Sequence, residues 1–465
     1  ETRELLGKLN TRRPDGGNLA HYDDSWHIVK ENDSVPPSAK WSDCSVEPSM
    51  SEYANHADLG ARAWMSHSVI SFDYRVVEVP RGNLLDPSCD ALILGHLPRG
   101  SEERWLAEQR PQRRLIVIDE TVYKLYGDRV RAYFESRKVQ HEILVLPMVE
   151  ENKSMELTLE VAKKMKEFNI DRRTEPVIAI GGGVCLDVVG LASALFRRRT
   201  PYIRVPTTAL SYVDASVGAK NGCNFGGSKN RLGTYVPPCA ALLDCEFFAT
   251  QESRDVANGI AEMAKMAIMK SEELFCLLEE HGPRLANDKF MPNSDVDGAP
   301  SRVLRLSIES MLEELAPNLW EHSLERLVDF GHCVGQDLEM AALGTEHELM
   351  HGESVACDMA YMTVLAQQLS LTTVEERDRT LNMLRGCQVP VWNPVMTYEL
   401  FVEAVANRVK NSMGQNFPLA VGIGKARIVN DISDEDLKQA FIRWQELCAP
   451  NAMANHSEVR VQATA

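Results

Sequence analysis

Three short apolar runs limit what this chain can fold into: Leu115-Ile-Val-Ile-Asp119, His141-Glu-Ile-Leu-Val-Leu146 and Val177-Ile-Ala-Ile180. Runs of this length, rich in Ile, Val and Leu, read as strands buried on both faces. Each is followed by a stretch of helical period: one reaching Tyr133, one from Met155 to Phe168, and one from Cys185 to Phe196. Strands that alternate with helices are parallel and covered on both sides, so the predicted class is α/β with a doubly wound sheet. A β-rich stretch, Ser71 to Val79, precedes the pattern. After about Asp244 strand signals stop, and Asp255 to Leu278, Ser301 to Leu315, Gly352 to Leu369 and Val374 to Leu384 carry helical periodicity.

A chain of 465 residues exceeds one typical core. Three parts are expected. Residues 1–60, rich in Asp, Ser, Pro, Asn and Gly, form a disordered or loosely packed extension. Residues 61–245 form an α/β domain, and residues 246–465 a mainly α-helical domain with a flexible C-terminal tail. The stretch from Pro283 to Pro300 reads as an exposed connection. A net charge of −17 argues against a nucleic-acid partner, which demands a basic face. No apolar run has the length of a bilayer span, so no membrane partner is expected. Eleven cysteines without a CxxC pair read as reduced thiols, which points to the cytoplasm. Because the chain begins at Glu1, an upstream targeting segment could already have been removed.

The richest functional run extends from Gly181-Gly-Gly183 to Lys265. A strand, three glycines and a helix can bring backbone N–H groups up to a pyrophosphate at a helix N-terminus, which makes the first domain Rossmann-like. The same glycines also suit a tight packed turn, and the pattern is not GxGxxG. Asp119, at the end of its strand, is placed either to accept a ribose hydroxyl or to cap the next helix. Beyond lie Pro206-Thr-Thr208, Asp214-Ala-Ser-Val-Gly-Ala-Lys220 and Lys229-Asn-Arg231. Asp214 suits either a turn cap or a pocket.

Glu262, His332 and His351 supply one carboxylate and two imidazoles, the ligand set of a catalytic zinc with an open position. Isolated histidines are also common as structural residues. A second pattern overlaps them: His347-Glu-Leu-Met-His351 fits the HExxH of zinc peptidases. Gly344 before it and Gly352 after it break the single helix that motif requires, so His351 is retained as a ligand and His347 is not. Lys265, three residues after Glu262, is either a substrate contact or half of a solvated surface pair.

Taken together and in order, these motifs resemble the sugar phosphate cyclases of the dehydroquinate synthase superfamily, from about residue 70 to 445. The resemblance rests on Pro147-Met-Val-Glu150-Glu-Asn-Lys153-Ser, Gly181-Gly-Gly-Val-Cys-Leu-Asp187, Pro206-Thr-Thr208, Asp214 to Lys220, Lys229-Asn-Arg-Leu-Gly233, Gly259-Ile-Ala-Glu262-Met-Ala-Lys265, Phe330-Gly-His332 and His351-Gly-Glu353. It implies a dehydroquinate synthase-like fold with Glu262, His332 and His351 as ligands of zinc, or of cobalt. It implies that Asp119, Glu150, Lys153, Gly182, Gly183, Val184, Asp187, Thr207, Thr208, Leu210, Lys229, Phe247 and Thr250 hold NAD. Asp214, Lys220, Asn230, Lys265 and Asp329 would line the substrate pocket. Arg198 resembles an arginine that reaches a neighbouring subunit's phosphate site, which implies a homodimer.

Within the superfamily, dehydroquinate synthases have Asn before Phe-Gly-His, a second His four residues later and an upstream Lys. This chain has Asp329, Gln336 and Met311 there. Asn224 to Tyr235, Met311 to Glu321 and Asp329 to His332 resemble 2-epi-5-epi-valiolone synthases, which cyclise sedoheptulose 7-phosphate. Asn411 stands where that group has His and the desmethyl-4-deoxygadusol group has Thr, whereas Asp329 favours the valiolone branch over the Ala of its sister. The implied chemistry is NAD oxidation at C5, loss of the C7 phosphate, return of the hydride and intramolecular aldol closure, with no net redox change. Other readings are a desmethyl-4-deoxygadusol or 2-epi-valiolone synthase, a 3-dehydroquinate synthase, a polyol dehydrogenase of similar architecture, and a non-catalytic NAD-binding homologue.

Overall fold

The computed structural model describes residues 73–291 and 298–450, together with one short pairing of Asn55–His56 with Ala61–Arg62. The extension assigned to residues 1–60 falls outside these residues apart from Asn55 and His56, and so does the tail from residue 451.

A six-stranded sheet forms the first half, in the order Arg75–Glu78, Ala240–Leu243, Tyr202–Pro206, Val177–Gly181, Arg113–Asp119, Gln140–Leu146. Every neighbouring pair is parallel. Alternate residues serve opposite faces: Ile116, Ile118, Ile178 and Ile180 pack with Tyr133 and Phe134, while Leu115, Val117, Val177 and Ala179 pack with Val161, Met165 and Val189. Burial on both faces explains why these strands appear as uninterrupted apolar runs. From Arg113–Asp119 the chain moves outward to Gln140–Leu146, then returns to the other side with Val177–Gly181. Asp119 and Gly181 therefore end adjacent strands where the winding reverses, the place at which open α/β sheets bind ligands. Helices Glu120–Ser136, Met155–Glu167 and Gly183–Leu195 provide the crossovers, close to the predicted limits.

Helix Ser253–Met269 opens the helical half and is buried on all sides from Val256 to Met269. Helix His351–Gln368 is likewise buried from Gly352 to Ala366. Helices apolar around their whole circumference belong inside a core. They pack so closely that a Cβ at Gly352 would lie 2.0 Å from the backbone oxygen of Asn258, and one at Gly259 2.6 Å from Ala209. The core helices thus bring Glu262 and His351 together, and fix Glu262 against the loop after Pro206.

Two expectations require correction. Strands do recur after Asp244: Phe417–Ala420 pairs antiparallel with Ala426–Val429. Four-residue strands, one of them containing Pro418, carry too little alternation to show as a periodic signal. Pro283 does not open an exposed connection either, since it lies within helix Glu272–Asp288, where Leu278 and Leu285 are buried. Its missing N–H was outweighed by burial of that helix face. Among the described residues no helix is long and apolar enough to cross a membrane.

Candidate active site

Glu262 enters the site from the middle of its buried helix with 0% of its surface exposed. His332 follows the left-handed Gly331 (φ 80°), and His351 occupies the first turn of its own helix. His332 Nε2 lies 3.7 Å, and His351 Nε2 3.5 Å, from Glu262 Oε1. One ligand atom from each of the three lies within 4.8 Å of the others. Neither carboxylate oxygen of Glu262 accepts a hydrogen bond, although Lys265 Nζ is 2.5 Å from Oε2. A fully buried carboxylate without hydrogen bonds, faced by two imidazoles, fits a dication that would replace them.

The outer ring atoms are also fixed. His332 Nδ1 lies 3.2 Å from the backbone oxygen of Phe330, and His351 Nδ1 3.1 Å from Glu339 Oε2. Such partners set which nitrogen faces a metal. Burial, and then Lys265, lower the His332 pKa to about 4. Burial would also lower that of His351, but the carboxylates of Glu262 and Glu339 raise it to about 10. The HExxH reading fails in the structure: His347 precedes the helix that begins at His351, and its Nε2 lies 3.6 Å from Glu346.

Lys265 is only 3% exposed, so its pair with Glu262 is not a solvated helix face. Burial disfavours its charge, yet Glu262 and Asp214 raise its pKa. Asp214 sits in the turn Ser211–Ala215, and burial followed by the field of Glu262 raises its carboxyl above the usual range. These two residues therefore adjoin the ligand cluster. Asp329 does so through the backbone, where His332 N donates to Asp329 O at 2.9 Å. Its carboxylate lies between Arg326 (2.6 Å) and Arg408 (2.9 Å). Burial opposes its ionisation, but the two guanidiniums hold its pKa below the ordinary value.

At the switch point, Gly182 occupies the N-cap of helix Gly183–Leu195 and leaves the first-turn N–H groups without a side-chain cap. Val184 is in that first turn. A Cβ on Gly182 would meet Thr208 at 3.3 Å, and one on Gly181 would meet Cys185 at 2.5 Å. An uncapped helix end against a surface kept clear of side chains fits a dinucleotide pyrophosphate. Lys153 Nζ reaches Asp187 Oδ2 at 2.6 Å and Asn230 Oδ1 at 2.7 Å. Glu150 Oε1 accepts from Asn224 at 2.9 Å. Thr207 N donates to Gly181 O at 3.0 Å, and its buried Oγ1 is unpartnered. Thr208 Oγ1 contacts Ser211 Oγ at 2.8 Å, and Leu210 lies beside Gly259.

Some assignments take a different form in the structure. Asp119 caps helix Glu120–Ser136 through Thr121 N (2.9 Å) and Val122 N (3.1 Å), and its other oxygen accepts from Met148 N at 3.2 Å. Phe247 is 3% exposed and packs edge-on to Tyr126, so its side chain belongs to the core. Thr250 Oγ1 contacts Tyr126 Oη at 3.1 Å. Asn411 is exposed near the end of helix Tyr398–Ser412, and Arg198 is exposed with φ 61°.

Sequence reasoning missed Glu321, Arg326, Glu339, Arg408 and Arg204. Glu321, Glu339 and Arg408 pair with Lys220, Lys229 and Asp329 far along the chain, where spacing carries no signal, while Arg326 pairs locally with Asp329 and Glu321 in a segment without regular period. Arg204 is completely buried within strand Tyr202–Pro206. It donates to the backbone oxygens of Ala215 and Gly218 (both 2.6 Å) and Lys220 (2.7 Å), and to Asn221 Oδ1 (2.8 Å). A lone Arg in an apolar strand was the available clue, because burying that charge demands partners.

Comparison with known proteins assigns this geometry to a family. Residues 143–258 match the family model for the 3-dehydroquinate synthase N-terminal domain, and residues 259–411 that for its C-terminal domain. The chain belongs to the dehydroquinate synthase family. Within that family it is 44% identical over 404 residues to the 2-epi-5-epi-valiolone synthase of Streptomyces hygroscopicus subsp. jinggangensis (strain 5008), covering 86% of this chain and 94% of the relative. The structure of ValA, the 2-epi-5-epi-valiolone synthase from that organism with NAD+ and Zn2+ bound, superposes with a TM-score of 0.73 at 43% identity, over 82% of this chain and 99% of that one. Demethyl-4-deoxygadusol synthase of Trichormus variabilis (strain ATCC 29413 / PCC 7937) is 32% identical over 341 residues, 72% of this chain and 82% of that relative.

Proposed function

We propose that this chain is a 2-epi-5-epi-valiolone synthase, a phosphate-eliminating carbon–oxygen lyase that cyclises sedoheptulose 7-phosphate using NAD and zinc. The observation that carries this reading is the 44% identity to a protein of that name over 86% of the chain. Glu262, His332 and His351 would hold the zinc, which would supply a Lewis acid, and Gly182, Gly183 and Asp187 would help hold NAD, which would supply a reversible hydride acceptor.

The chain's own residues then divide the remaining work. The Lys265 ammonium, buried between Glu262 and Asp214, stabilises negative charge developing on the C5 oxygen. The Asp214 carboxyl, its pKa raised by burial, can accept and return a proton at that position. As the C6 proton passes to an oxygen of the departing phosphate, the C7–O bond breaks with its electrons leaving on that phosphate, for which Lys220 and Asn230 provide cationic and hydrogen-bonding contacts. Asp329, held ionised by two arginines, orients sugar hydroxyls for the closure between the C7 enol carbon and the C2 ketone. The reading also includes an α/β domain over residues 61–245, a helical domain over 246–465, a cytoplasmic location, and a homodimer in which Arg198 reaches the neighbouring phosphate site. Asn411, exposed near the end of helix Tyr398–Ser412, is assigned to product selection.

The test is phosphate release from sedoheptulose 7-phosphate by the purified protein with NAD and zinc or cobalt, with identification of the product. A valiolone-type product is expected. Turnover confined to the seven-carbon acid precursor of dehydroquinate, or a deoxygadusol-type product, would overturn the assignment to this branch.

A further inference from the structure

Glu321 pairs with both Lys220 and Arg326 through one carboxylate oxygen, and its other oxygen accepts from Tyr235 Oη at 2.9 Å. Its side chain is 13% exposed, whereas that of Lys220 is 60% exposed. The turn that presents it is built tightly. Asn318 Nδ2 donates to Ser323 O at 2.7 Å, Ser323 N donates back to Asn318 Oδ1 at 3.2 Å, and Glu321 N donates to Asn318 O at 2.9 Å. Glu321 itself has φ 54°, a left-handed conformation that a glutamate adopts at a cost. Strain, a closed turn and three converging donors place one carboxylate between two cations, of which Lys220 is exposed.

We propose that Glu321 is an internal counter-anion that occupies Lys220 and Arg326 until an anionic group of the substrate displaces it. The proposal rests on the reading of the substrate as a sugar phosphate. A phosphate dianion presents more charge and more acceptor oxygens than a carboxylate, so it can take both cations while Glu321 keeps Tyr235. A neutral sugar offers no charge to exchange, and the pair stays closed. Glu321 thereby lowers affinity for every ligand while adding a requirement for an anion, a repulsive element that provides selectivity.

The experiment measures inorganic phosphate binding to the NAD-loaded protein by calorimetry, which needs no turnover and is therefore independent of the assay for cyclisation. Glu321→Gln is expected to tighten phosphate binding about 3- to 10-fold, the gain from freeing Lys220 and one guanidinium nitrogen of Arg326, whose other nitrogen stays with Asp329. Glu321→Asp, which keeps the charge but withdraws it by one methylene, is expected to give a smaller gain, and it decides the matter should the Gln variant fail to fold. Glu325→Gln, which neutralises an exposed neighbour in the same segment, should leave the affinity unchanged. Binding that is unchanged or weaker in both Glu321 variants overturns the proposal, as does an equal gain in Glu325→Gln, which would reduce the effect to a general field.

Discussion

His351 is held from both sides of its ring: Nε2 lies 3.5 Å from Glu262 Oε1, and Nδ1 lies 3.1 Å from Glu339 Oε2. Glu339 is itself paired with Lys229 at 2.5 Å. Burial opposes ionisation of Glu339, but the hydrogen bond from His351 and the charge of Lys229 hold its pKa at about 2. Glu339 thus connects a ligand-face imidazole to a lysine assigned to the nucleotide.

Glu339→Gln keeps the shape and removes the charge. Zinc affinity, measured by competition with a chelator, is expected to fall about 10- to 100-fold, the range found for partners behind metal-ligating histidines. An affinity within twofold of the parent protein would remove Glu339 from that role.

Gly352 has no room for a side chain, since a Cβ would lie 2.0 Å from Asn258 O and 2.8 Å from Asn258 Oδ1. Gly352→Ala must push the two central helices apart at the level of His351. A loss of about 1–3 kcal/mol is expected in denaturant unfolding, with weaker metal binding alongside it. Unchanged stability would show that the contact relaxes freely.

Asp358 fixes the segment after His332 by accepting from Val334 N at 2.8 Å and Gly335 N at 2.9 Å through Oδ2. Burial raises its pKa to about 6 against the pull of those N–H groups, and its unpartnered Oδ1 can carry the proton. The folded state therefore binds a proton more tightly than the unfolded chain. This contribution favours folding at about pH 4 and is lost as the pH rises through about 6, by at most about 3 kcal/mol. Asp358→Asn should flatten stability between pH 4 and 6. An unaltered pH profile would locate that dependence elsewhere.

Arg204 satisfies three backbone oxygens of the segment from Asp214 to Lys220. Arg204→Met would leave them buried and unpaired, and a loss of about 3 kcal/mol or more is expected. Arg204→Lys should recover only part, because one ammonium cannot span the fork of contacts. Equal stability of the Met variant would show that the segment is held by other means.

Strands, crossovers and the glycine turn were legible because their signals are local. Ile116, Ile118, Ile178 and Ile180 declare burial by composition, and a strand-to-helix turn without side chains is visible in three consecutive letters. The two late strands and the helix through Pro283 were not legible: four-residue strands have little periodicity, and a proline penalty can be outweighed by burial elsewhere in the helix. Glu262, His332 and His351 were reached through ordered motifs, because seventy residues separate Glu262 from His332 and no spacing rule crosses that distance.

The sequence by itself determined the alternation of strands and helices that makes a parallel sheet, the glycine turn, a mainly helical second half and the residue types able to hold a metal. Tertiary structure alone decided what surrounds these groups. Lys265 is buried rather than solvated, and Glu321, Glu339 and Arg408 become partners of residues far along the chain. Periodicity reports how each element meets its immediate surroundings, whereas a charge finds its partner through the packing of whole helices.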